Sequence, residues 1–217
     1  MQGRRQAGYA TSGGTAHDTP YGPLSICLHW LIAALIFALI GIGFVMRRTE
    51  IDPALQFSLY QWHKSLGLTV LALAALREIH WLFARHPQPV ADLGPLERQA
   101  SRTTHVVLAL LCLFVPLSGW AVASTSTLAI PTLLFDRVLV PALPLVRSAA
   151  GEAFWSLVHA GSAYLLLTLA ALHVAAALHH HFIRRNGVLL RMLGRPAAND
   201  PGGPGGTRGP ARRGTRR

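Results

Sequence analysis

The sequence predicts an all-α membrane protein built as a four-helix transmembrane bundle. Three observations predict it. Of the 217 residues, 51% are hydrophobic; only 13% are charged, against about 25% in an ordinary soluble domain; and the apolar residues gather in runs long enough to cross a bilayer. Such hydrophobicity excludes intrinsic disorder over most of the chain. The two cysteines, Cys27 and Cys112, both lie inside apolar runs, which excludes a disulfide scaffold.

The first span is Ile26 to Met46, uncharged and interrupted only by His29. At a rise of about 1.5 Å per residue this run matches a hydrocarbon core about 30 Å thick. The second, over residues 62–83, has an apolar centre at Leu66 to Leu76. It reaches spanning length with Trp62, Trp81 and Arg85 as interface anchors. The third, residues 104–124, opens at His105, and the fourth, residues 153–178, contains two histidines and closes on His179, His180 and His181. The apolar stretch Leu128 to Val146 holds Pro131, Pro141 and Pro144 around Asp136 and Arg137. A lipid-exposed helix with those breaks leaves backbone groups unpaired. It is expected to be a loop on the membrane surface, with a fifth span as the alternative.

Residues 21–195 thus form one membrane domain between two tails, 1–20 and 196–217. Both are rich in Gly, Pro and Arg and are expected to be disordered. No cleavable signal peptide is expected, because the first apolar run is long and lacks an A-x-A-like site. Charge sets the orientation. Arg4, Arg5, Arg85, Arg98, Arg102, Arg184, Arg185, Arg191 and Arg195 fall on the side shared by both termini, whereas the opposite loops are nearly neutral. The positive-inside rule therefore places both termini in the cytoplasm. The formal charge of +11 lies mostly on that one side, and nucleic acid is not an expected partner.

Ionisable residues within spans are costly and mark candidate functional sites. His159 and His173 stand fourteen residues apart on the last span. That spacing puts them about 40° apart on one face and about 21 Å apart along the axis. By depth, His63 at the start of the second span pairs with His159 at the outer surface. His29 pairs with His173 at the inner one, where His105 is a second candidate. Paired neutral imidazoles from two helices can hold a haem by both axial positions. Zinc prefers four ligands in one place, and the absence of C-x-x-C-H excludes covalent haem attachment. The expectation is therefore a bundle holding two haems b. Arg77, fourteen residues after His63, reaches the depth of the inner pair. There it can pair with a haem propionate or snorkel to the interface.

Leu28-His29-Trp30, His63-Lys64-Ser65-Leu66-Gly67 and Leu172-His173 together resemble the bacterial cytochrome b561 family. Arg77, the Pro116-x-x-Gly119 step and Leu190-Arg191-Met192 extend the resemblance over residues 21–195. These are small di-haem proteins of the bacterial inner membrane, related to the cytochrome b subunits of formate dehydrogenases and nickel-iron hydrogenases. The resemblance implies axial pairs His29 with His173 and His63 with His159, and it sets His105 aside. It further implies electron transfer between quinone and a second partner, in stand-alone members superoxide oxidation with reduction of ubiquinone.

On that basis Lys64, beside His63, is a candidate cation for superoxide capture. His180, about 20° off the face of His173 and two turns further on, is a candidate proton donor to quinone. Two other functions compete with this reading. One is a haem-b membrane anchor passing electrons from a soluble dehydrogenase or hydrogenase. The other is a histidine-based metal transporter with His179 to His181 as its mouth.

Overall fold

The computed structural model describes residues 22–48, 50–83, 94–184 and 188–194. Both expected tails, and the anchor Arg85, lie outside them. Four long helices dominate: α1 (Pro23–Met46), α2 (Pro53–Phe83), α3 (Pro95–Thr125) and α4 (Ala149–Phe182). A two-stranded hairpin, β1 (Thr132–Leu134) and β2 (Val138–Val140), joins α3 to α4, and a single-turn helix α5 (Val188–Met192) follows. All four long helices have the length and apolarity needed to cross a membrane.

Proline opens α1, α2 and α3, where its missing N–H is one that a first turn leaves unpaired anyway. Asp52 Oδ1 accepts from the amides of Ala54 and Leu55, each at 3.0 Å, and Ser148 Oγ accepts from Gly151 N–H at 3.0 Å. These caps explain why α2 and α4 begin at Pro53 and Ala149 rather than near residues 62 and 153. Hydropathy registers only the part of a helix that lipid surrounds, whereas hydrogen bonding carries the helix on into water.

The chain runs up and down, with α1 packed on α2, α2 on α3 and α3 on α4. By contrast α4 faces α1 and α2 across wider gaps, bridged by side chains such as Phe44 and Tyr164 at 6.2 Å. A small core of Leu28, Ile32, Val70, Ala74, Leu111, Cys112 and Leu166 fills the centre. Phe37, Leu110, Leu165 and Leu172 point outward, as suits helices whose solvent is lipid.

Residues 128–146 do not form a fifth span. The antiparallel pairing Leu134 with Val138 is closed by a turn whose first two residues, Phe135 (φ 51°) and Asp136 (φ 57°), are left-handed. That conformation is unfavourable for a phenylalanine. Two contacts hold it there: Phe135 N–H donates to Ser65 Oγ at 3.0 Å, and its ring meets Trp62 at 5.8 Å. Ser65 Oγ also donates to Leu133 O at 3.1 Å, and Lys64 Nζ reaches Pro131 O at 3.3 Å. Behind β2, Trp120 Nε1 donates to Pro141 O and Leu143 N–H donates to Ser124 Oγ. The hairpin is thereby fastened over one end of the bundle.

Candidate functional site

Beneath the hairpin, His63 on α2 and His159 on α4 face each other across the wide gap, ring centroids 6.1 Å apart and planes at 84°. His159 is held on three sides. Its Nδ1 lies 3.0 Å from Val115 O, so that nitrogen carries the proton and donates. Ser118 Oγ lies 3.2 Å from the same nitrogen and itself donates to Val115 O at 2.7 Å. Gly119 lets the ring lie against the α3 backbone: a Cβ there would stand 3.0 Å from His159 Cε1 and 3.2 Å from Nδ1. With Nδ1 protonated, Nε2 keeps its lone pair, the form of imidazole that binds a metal. On the opposite ring, His63 Nδ1 is buried with no hydrogen bond of full geometry, and the Leu39 backbone lies beside the ring.

A small cleft of about 60 Å³ adjoins this pair, with His63, Lys64, Gly67, Pro116, Gly119 and His159 in its wall. A Cβ added at Gly67 or Gly161 would meet nothing within 4 Å, so open space lies beside both. A second cavity of about 170 Å³ lies under the hairpin and shares Trp120, Ala123 and Thr132 with the first; Arg147 stands in its wall.

At the other end of the bundle His29 on α1 and His173 on α4 stand 6.4 Å apart, planes at 73°. His105 on α3 comes still closer to His173, at 5.1 Å, while its Nδ1 donates to Ser101 O at 2.7 Å. Arg77 lies near enough to act electrostatically on both His29 and His173. Trp30, next to His29, donates from Nε1 to Met192 O at 2.9 Å and so ties α5 to this end. Along α4, His173, Ala177, His180 and His181 are half-buried, and His179 is exposed. His180 thus shares the inward side of the helix with His173.

Two imidazoles on opposite sides of one metal, each bonded at about 2 Å with its centroid about 1.15 Å behind the nitrogen, set their centroids about 6.3 Å apart. The separations of 6.1 Å and 6.4 Å lie on either side of that value. His105 at 5.1 Å from His173 leaves too little room for a metal between them. Among the described residues no group of three or more His, Cys, Asp or Glu converges as a metal cluster would. The donor sets are pairs, separated by the apolar core, with Leu166 seven residues from each of the two α4 histidines. Neutral imidazole donors and wide gaps beside them fit a planar group held from both faces.

Three contributors were not visible in the sequence. Ser118 registered only as a polar residue in a span, and nothing in its spacing pointed across to His159. Ser65 stood in a motif without a role. The hairpin lacked the Asn-Gly or Asp-Gly step that announces a tight turn; the alternation Thr132-Leu133-Leu134 and Val138-Leu139-Val140 was its one local signal.

A family model described as prokaryotic cytochrome b561 matches residues 20–195. Cytochrome b561 homolog 2 of Escherichia coli (strain K12) is 28% identical over 184 residues, covering 84% of this chain and 96% of that protein. A protein named probable superoxide oxidase CybB, from Yersinia pestis, is 28% identical over 182 residues, covering 80% and 95%. Cytochrome b562 of Cereibacter sphaeroides is 26% identical over 180 residues, covering 80% and 94%.

Proposed function

The chain belongs to the prokaryotic cytochrome b561 family, multi-pass bacterial membrane cytochromes b that transfer electrons, and from that membership we propose that it oxidises superoxide and reduces ubiquinone. The separation of the two imidazole pairs carries the reading, because each matches an iron bound from both sides. His63 and His159 would hold one haem b beneath the hairpin, and His29 and His173 a second at the other end. Bound in this way, haem iron supplies one-electron transfer without exchanging atoms.

The residues around each pair suit different tasks. Lys64 and Arg147 stand in the walls of the two adjoining cavities at the hairpin end. Cations there draw in a small anion, and each superoxide leaves as dioxygen after giving up one electron. At the other end Arg77 is placed to pair with a propionate. Two electrons and two protons convert ubiquinone to ubiquinol, and His180, inward-facing near the helix end, is placed to pass on a proton. The arginine distribution supports an orientation with that end and both termini on the cytoplasmic side of the inner membrane. The printed name of the Yersinia relative agrees with this substrate.

The test uses the purified protein in lipid nanodiscs containing ubiquinone, with superoxide delivered in pulses. Haem reduction followed by ubiquinol formation is expected, and the His180→Ala variant should show slowed ubiquinol formation with its haem spectrum intact. Haem that superoxide leaves oxidised, but that a soluble dehydrogenase reduces, would overturn the substrate in favour of a membrane-anchor role.

A further inference from the structure

The two rings of the pair beneath the hairpin are supported unequally. His63 Nδ1 makes no hydrogen bond of full geometry and has only the Leu39 backbone beside it, whereas His159 Nδ1 shares the Val115 carbonyl with a hydroxyl. We propose that Ser118 is a positioning residue that sets the reduction potential at this end of the bundle, by competing with His159 for the Val115 carbonyl. The proposal rests on His63 and His159 being axial ligands.

Ser118 is 1% exposed, so no water replaces what its hydroxyl does. Its Oγ donates into Val115 O at 2.7 Å, shorter than the 3.0 Å contact from His159 Nδ1 to the same oxygen. Each is at the usual length for its kind, so two donors share one acceptor and each bond is weaker than it would be alone. Ser118 Oγ also lies 3.2 Å from Nδ1, so it draws on the imidazole proton as a second, weaker acceptor. Sharing the carbonyl loosens the imidazole N–H bond to it; the longer contact to Oγ acts the other way on the same proton and, at 3.2 Å, offsets only part of that loosening. An imidazole whose N–H bonds strongly to a carbonyl becomes a more basic ligand. A more basic axial ligand favours ferric over ferrous iron and lowers the potential. The wild-type hydroxyl therefore holds the potential up, and Gly119 keeps the ring close enough for the arrangement to operate.

Ser118→Ala removes the hydroxyl and little volume; Ser118→Cys keeps the size with a weaker donor. The experiment is a spectroelectrochemical titration of the full-length protein in nanodiscs, the relevant haem being assigned as the one missing from His159→Ala. Ser118→Ala should retain the wild-type haem content and lower that one potential, leaving the other where it was. Ser118→Cys should fall between Ser118→Ala and wild type. An unmoved potential, equal movement of both potentials, or haem loss from both variants would overturn the role assigned to Ser118. A wild-type spectrum lacking a bis-histidine haem at this end would instead defeat the ligand assignment, and the Ser118 role with it.

Discussion

At the hairpin end, His159 is fixed by a carbonyl, a hydroxyl and a glycine surface, and a tethered β-hairpin lies above the pair. At the opposite end the pair has nearly the same separation but a different setting. A third imidazole, His105, stands 5.1 Å from His173; Arg77 is close by, and His180 continues the same side of α4. One end is tightly tethered, with small adjoining cavities walled in part by Lys64 and Arg147. The other gathers several imidazoles around one arginine. On the proposed function, similar imidazole geometry would serve different exchanges: a small anion needs a narrow, positive approach, whereas a quinone needs protons beside the membrane surface.

The largest effect expected from breaking this contrast comes from the ligands. His63→Ala or His159→Ala should halve the haem content, from two per chain to one, as measured by pyridine haemochrome. The haem at the opposite end should keep its spectrum, and a single haem in the wild type would refute the pairing. Gly119→Ala comes next. Its methyl would press on the His159 ring, and overpacking of this kind costs about 1–3 kcal/mol. The ring cannot retreat without giving up Val115 O, so partial loss of the hairpin-end haem is expected, visible in the same assay.

Arg77→Ala sharpens the comparison from the other side. Removing a nearby cation disfavours the electron-rich reduced state, so the potential of the haem at that end should fall while its content holds. A redox titration identical to wild type would return Arg77 to an interfacial, snorkelling role. The smallest effect expected is at the hairpin. Ser65→Ala removes the acceptor of Phe135 N–H, a loss of about 1 kcal/mol. Exchange of the Phe135 amide should then quicken about fivefold, with both haem spectra unchanged.

Much of this organisation was readable from residue type and spacing. The four spans followed from apolar length, and the fourteen-residue interval between His159 and His173 put two imidazoles on one helix face at two depths. His29 and His63 reached matching depths because an up-and-down chain leaves few alternatives. The choice between His29 and His105 could not be made from depth, since both enter the membrane on the same side. The ring separations of 6.4 Å and 5.1 Å bear on that choice, and they exist only once α1 and α3 have taken their places around α4.

What the sequence determined by itself is what the bilayer and helical periodicity impose locally: span lengths, shared faces and the depth of each histidine. These depend on residues a few turns apart along one helix. What only the tertiary structure decided depends on distant segments meeting. Ser118 bears on His159, forty-one positions away; Ser65 holds a left-handed Phe135, seventy positions away; and Lys64 and Arg147 line adjoining cavities. No local propensity encodes such contacts. They arise because α3 and α4 pack closely while α4 stands off from α1 and α2, which leaves gaps that imidazoles span and a bundle end that a hairpin can roof.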